Sequence, residues 1–126
     1  MKSQFISAVE EREKAYAAYL LLEKAQTICY IEAIDNTAQI VLRDSTRIWV
    51  NSMLSNIEKL LPNNFYRCNS SYIVNTEMVQ EFWVSSQPML VMNCGAILPI
   101  TVLDMFHLKY VLGNKFSGNW TSLVHV

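Results

Sequence analysis

At Thr27 the apolar spacing of the chain drops from about 3.6 residues to 2, and this switch constrains the fold more than any other feature. Before it, Ser3 to Gln26 contains no Gly or Pro and is rich in Ala, Glu, Lys and Leu, which are good helix formers. Ile6, Val9, Tyr16 and Leu20 recur at helical spacing, and Glu10 stands four residues ahead of Lys14, where opposite charges meet on one face. The spacing predicts a helix whose second half, AYAAYLLL, is apolar over most of its circumference. Such a helix either docks on the domain that follows or pairs with a second copy of itself. After the switch, Ile28, Tyr30 and Glu32 alternate with Cys29, Ile31 and Ala33 along a first strand. Gln39–Arg43 and Arg47–Val50 read as the next two strands, separated by the turn pairs Asp35-Asn36 and Asp44-Ser45. Strands about ten residues apart with polar turns between them predict an antiparallel meander.

The punctuation continues downstream. Asn51 and Ser52 are N-cap types, and Met53, Leu54, Ile57, Leu60 and Leu61 share one face of a short helix that Pro62 ends. The stretch Phe65–Asn75, FYRCNSSYIVN, sets Arg67 and the polar cluster Asn69, Ser70 and Ser71 ahead of an alternating run. Met78–Val84, Met89–Met92 and Ala96–Ile100 read as strands, with a turn at Ser85–Pro88. A tight turn at Asn93-Cys94-Gly95 needs the positive φ that glycine supplies. Thr101, with Asp104 three residues on, reads as the N-cap of a C-terminal helix. Val102, Leu103, Phe106, Tyr110 and Val111 continue that helix, and Gly113 takes the C′ position. From Asn114 onward the expectation is a loosely ordered tail unless Trp120 docks.

A chain of 126 residues, 52% hydrophobic and only 17% charged, is long enough for one sizeable core and too apolar to remain disordered. The net charge of −1 leaves no global basic footprint for nucleic acid. The longest helical apolar run is eight residues, against the ~20 a membrane-spanning helix needs. The N-terminus lacks the basic and apolar regions of a signal peptide, so a cytoplasmic location without a membrane partner is expected. Cys29, Cys68 and Cys94 have no CxxC spacing and read as reduced thiols packed as small hydrophobes. His107 and His125 lack a second ligand at metal spacing, and there is no GxSxG, glycine-rich phosphate loop or HExxH. Cys68 has no histidine near it in sequence, and Glu32 with Asp35 is too little for acid–base work. The expectation is a protein that is not an enzyme and uses no cofactor or metal.

In order, the chain presents YIEAIDN (Tyr30–Asn36), SMLSNIEKLLP (Ser52–Pro62), FYRCNSSYIVN and LPIT (Leu98–Thr101). That series resembles the LytTR family of bacterial DNA-binding domains, the usual output half of response regulators. Phe65, Arg67, Ser71, Tyr72, Val74 and Asn75 fit the family pattern F-x-R-x-H-x-S-Y-x-V-N, with Asn69 where the family has histidine. The resemblance covers about Thr27 to Leu112. It implies a mainly β fold of about ten short antiparallel strands with a short central helix, plus N-terminal and C-terminal helices. It divides the chain into residues 1–26, a helix for docking or dimerisation, residues 27–112, the DNA-binding domain, and residues 113–126, a C-terminal tail.

The resemblance further implies loops, rather than a recognition helix, laid into major grooves of promoter DNA. Here those loops are Asp35–Ala38, Asn69–Ser71 and the corner Thr101-Val102-Leu103, so the implied DNA-binding residues are Asn36, Thr37, Arg43, Arg47, Arg67, Asn69, Ser70, Ser71 and Thr101. The partner is double-stranded promoter DNA, with a homodimer or a signalling protein meeting Ser3–Leu22. About 26 residues precede the domain, too few for a receiver domain, so a stand-alone transcriptional regulator is expected. The third corner reads Thr101-Val102-Leu103-Asp104 where the family has Ser-Arg and further basic residues. That difference motivates the alternative, a degenerate LytTR-like domain acting as a protein-interaction module without DNA binding. A third class, a redox or small-molecule sensor using Cys29, Cys68 or Cys94, is tested by thiol reactivity.

Overall fold

Short polar turns set the register of the first sheet. In the computed structural model, which describes residues 19–21, 23–84, 86–101, 107–110, 112 and 119–122, β1 (Ile28–Ile34) returns as β2 (Thr37–Leu42). The turn between them is Asp35-Asn36, with Asp35 at φ 54°, a left-handed conformation that Asp tolerates. The Thr37 hydroxyl locks it by donating to the Ile34 carbonyl at 2.7 Å. β2 turns through Ser45, at φ 73°, into β3 (Arg47–Val50), and the Thr46 N–H donates to Asp44 Oδ1 at 2.9 Å. Thr37 and Ala38, expected in a loop, therefore belong to β2, and Arg43 lies just past its end. Ala38 is fully buried, on the sheet face that carries Ile31 and Ile40.

β4 (Phe65–Arg67) and β5 (Tyr72–Asn75) form a second hairpin, and β5 pairs with β1. The sheet order is β3-β2-β1-β5-β4, antiparallel throughout. A second sheet runs β8-β7-β6-β9, from β6 (Val79–Val84), β7 (Met89–Met92), β8 (Ile97–Pro99) and β9 (Asn119–Ser122). β6 to β8 are antiparallel neighbours, whereas β9 lies parallel to β6. The architecture is mainly β as expected, with nine strands among the described residues, one of them parallel. Residues 119–122, expected in a loose tail, instead cover the free edge of β6, whose ladder groups need partners.

The two faces of the first sheet pack on different layers. Ile31, Ala38, Ile40, Val50 and Ile73 face a cluster completed by Leu20, Leu21 and the short helix α1 (Leu54–Glu58) through Leu54 and Ile57. Tyr30, Val41 and Val74 face the second sheet, where Phe82, Leu90, Met92 and Leu98 join Leu108 and Leu112 in the other cluster. Residues 19–21 and 23 are helical, and Leu20 and Leu21 are buried, so this end of the N-terminal helix docks on its own domain. Residues 1–18 of that expected helix, and Val102, Leu103 and Asp104 of the C-terminal corner, lie outside the described residues. Residues 107–110 and 112 are helical.

Two local expectations fail for physical reasons. The N-cap of α1 is Met53, without a side-chain cap, instead of Asn51 or Ser52. The Ser52 N–H is still bonded to Val50 at 2.9 Å as the chain leaves β3, so the helix begins later. With only five residues it buries Leu54 and Ile57 and leaves Met53 and Leu60 exposed. The strict alternation of β1 also breaks. A bulge between Ile28 and Tyr30 turns Cys29 toward the same side as Tyr30, into the core between the sheets.

Asn75 ends β5 as a polar residue within the apolar interior, fully buried with both polar side-chain atoms hydrogen-bonded. Its Nδ2 donates to the Ile28 carbonyl at 2.9 Å, and its Oδ1 accepts from Asn64 Nδ2 at 2.9 Å and the Glu77 N–H at 3.0 Å. It ties β1, the approach to β4 and the turn into β6 to one point.

Candidate functional site

Antiparallel pairing brings three turns to one edge. Ile34 pairs with Thr37 and Glu32 with Tyr72, so the β1–β2 turn and the β4–β5 loop leave the sheet at the same end. The Ala33 N–H donates to the Ser71 carbonyl at 2.8 Å and joins them directly. Asn69 holds its loop from within, its Oδ1 accepting the backbone N–H groups of Ser71 at 2.8 Å and Tyr72 at 3.0 Å. Its Nδ2 reaches the Pro99 carbonyl at 3.5 Å, which sets the exit of β8 and Thr101 beside the same loop. Asn36, Thr37, Asn69, Ser70, Ser71 and Thr101 therefore stand along one edge, with Asn36, Ser70, Ser71 and Thr101 exposed. Asn69 faces inward and is a loop staple.

The arginines do not join into a strip. Arg67 pairs with Ile73, on the helix side of the sheet, and donates to the carbonyls of Asn69 at 3.1 Å and Ser70 at 3.5 Å. It also pairs with Glu58 of α1 at 3.5 Å. Arg47 lies on the opposite face, in an ion pair with Glu32 at 3.2 Å, and donates to Gln39 at 2.9 Å and the Tyr30 hydroxyl at 3.2 Å. Arg43 is at the other end of the sheet, its N–H on the Thr27 carbonyl, lining a groove with Tyr19, Lys24 and Asp44. β1 separates that end from the loop edge by about 20 Å at ~3.3 Å per residue. Arg43 is therefore not part of the edge.

The electrostatics follow from this pairing. Glu32 holds the Arg47 guanidinium above its ordinary pKa. Burial raises the Tyr30 phenol, with Arg47 opposing, and burial then Glu32 raise Tyr72, so both hydroxyls stay neutral, and that of Tyr30 accepts from Arg47. The partners that decide what the arginines do (Glu32, Gln39, Tyr30 and Glu58) were not among the expected site residues. For Glu32 and Gln39 the signal was available, since both sit at alternate positions on strands already read from sequence. For Glu58 it was not, because nine residues and a loop separate it from Arg67.

The family model of the LytTr DNA-binding domain matches residues 19–112. Among solved structures, the LytTr DNA-binding domain of a Bacillus cereus protein described as a methyl-accepting/DNA response regulator is similar at 25% identity and a TM-score of 0.62. The alignment covers 70% of this chain and 83% of that one. Comparison with curated proteins gives no match.

Proposed function

The chain belongs to the LytTr DNA-binding domain family, and on that premise we propose that it is a transcriptional regulator that lays one edge of its sheets on double-stranded promoter DNA. The observation that carries the reading is the hydrogen-bonded junction of the three loops, through Ala33 to Ser71 and Asn69 to Pro99. It presents Asn36, Ser70, Ser71 and Thr101 together, and amide and hydroxyl groups of this kind serve base edges and phosphates alike. Arg67 and Arg47 act as positioning residues, one holding the β4–β5 loop and the other bracing the neighbouring strands. Among the described residues no helix is long and apolar enough to cross a membrane.

The test is a polarisation titration of labelled genomic fragments at low salt. Wild type binds with an affinity that falls as salt rises. Ser70→Asp, which sets a carboxylate on an exposed loop against phosphate, weakens binding by about tenfold or more. Arg43→Ala, at the far end, changes it by less than about twofold. Absence of salt-dependent binding up to concentrations on the order of tens of micromolar, in a chain shown to be folded, overturns the proposal. The pairing of both edge-proximal arginines with carboxylates would then favour the second reading, a protein-interaction module.

A further inference from the structure

The bulge in β1 leaves a feature that DNA binding does not use. By turning Cys29 into the core between the sheets, it places Cys29 Sγ 2.9 Å from Cys94 Sγ, in the turn between β7 and β8. The two residues are 65 positions apart and belong to different sheets. We propose that Cys29 and Cys94 form an oxidisable thiol pair that a peroxide converts to a disulfide joining the two sheets. Both are thiols in this structure. Their sulfurs need close by only about 0.9 Å to reach the ~2.05 Å of a disulfide bond.

The surroundings divide the roles. Cys29 is fully buried, and burial, then its bond to Cys94, pushes its thiol up to about 12. It keeps its proton at neutral pH and donates it to the Cys94 sulfur. Cys94 is only half-buried and is the sulfur an oxidant reaches first. Its backbone is held by the Ser45 hydroxyl, which donates to the Cys94 carbonyl at 3.2 Å. In the first step the Cys94 sulfur, as thiolate, attacks a peroxide oxygen. The O–O bond breaks, hydroxide leaves and takes up a proton as water, and Cys94 becomes a sulfenic acid. The Cys29 sulfur then attacks the Cys94 sulfur and gives its proton to the departing hydroxyl. The S–O bond breaks, a second water leaves and the S–S bond forms. Two thiols are oxidised by two electrons and one peroxide is reduced to two waters. Cys68 lies apart from this exchange, its sulfur directed at the Tyr66 carbonyl at 4.0 Å. The pair is at the end of the first sheet remote from the three loops, so this site stands or falls independently of DNA binding.

The experiment treats the full chain with one equivalent of hydrogen peroxide, alkylates remaining thiols and maps peptides by mass spectrometry without reduction. The expected product has lost two hydrogens, retains one alkylatable thiol at Cys68, and yields a cross-linked peptide carrying Cys29 and Cys94. Cys68→Ala gives the same cross-link, and a reductant reverses it. Cys94→Ala, at the half-exposed position, abolishes it while circular dichroism confirms the fold. A cross-link containing Cys68, an intermolecular disulfide, sulfinic acid accumulating at Cys94, or three thiols surviving treatment would each overturn the proposal.

Discussion

Asn69 stands where base reading was expected, and the structure gives it a different task that can be measured. Its Oδ1 accepts two backbone N–H groups, from Ser71 and Tyr72, and its Nδ2 makes only a long 3.5 Å contact to Pro99. Asn69→Ala removes both acceptor bonds. Each is worth about 0.5–1.5 kcal/mol net, and water replaces the one at exposed Ser71 more readily than the one at half-buried Tyr72. The expected loss is about 1–2 kcal/mol, the size of a lost helix cap. For a domain of roughly 100 residues at ~2.1 cal/mol/K of unfolding entropy each, that lowers Tm by about 5–10 °C. Asn69→Asp keeps the acceptor oxygens, so its stability stays within about 0.5 kcal/mol of wild type while it adds a negative charge beside the loop. Urea unfolding followed by tryptophan fluorescence reads both variants, with an unchanged m-value confirming the same folded state. If the alanine variant is as stable as wild type, or if the aspartate variant loses as much as alanine, the staple role is wrong.

Two further outcomes follow from the same contacts. Asn75→Ala leaves the buried Ile28 carbonyl and the part-buried Glu77 N–H without their side-chain partner, so it costs about 2–4 kcal/mol, against under ~1 for Asn64→Ala, as measured by urea unfolding; a loss below about 1.5 for Asn75→Ala contradicts that role. Hydrogen bonds from Thr46 hold the Asp44 carboxyl below its usual range, so its contribution is present above about pH 4 and lost as pH falls through the lower folded value. Asp44→Asn therefore gives a shallower fall in the urea midpoint below about pH 4 and no change in its pH dependence above about pH 5.

Much of the scaffold was legible because it rests on local chemistry. Period 2 after Thr27, the Asp35-Asn36 and Asp44-Ser45 turns, and Gly95, observed at φ 92°, each state their structure within a few residues. What was not legible depends on pairings across tens of residues. The bulge at Cys29 exists only in the pairing of β1 with β2, and no alternation count reveals the extra residue. β9 is invisible for the same reason, since its four residues are a strand only because the edge of β6 is there to receive them. At the candidate site, the loops could be named from the resemblance, but residue type did not show which side chains point out. Asn69 and Ser70 are neighbours, yet one closes the loop and the other faces solvent.

The arrangement of charge then sets how such an edge could hold DNA. Of the six described cations, Lys24 and Arg43 line the groove at the far end, Arg47 and Arg67 are engaged with carboxylates, and Lys59, at the end of α1, and Lys109, in the helical residues 107–110, are exposed but not on the three loops. An exposed ion pair is worth only about 0–1 kcal/mol, so phosphate could draw either arginine away from its carboxylate. Arg67, however, also bonds the Asn69 and Ser70 carbonyls, and Arg47 bonds Gln39 and Tyr30. Releasing either guanidinium to a phosphate loosens the very loop or strand it positions. Neutral donors must then supply much of the contact, and neutral donors release no counterions. The logarithm of affinity should therefore fall with the logarithm of salt at a slope of about −2, against about −5 for a protein neutralising ~6 phosphates. A slope steeper than about −4 would assign the neutralisation to cations away from the loops, at Lys59, Lys109, Lys2, Arg12, Lys14 or Lys115, and would make the loop edge a reader of bases rather than the source of affinity.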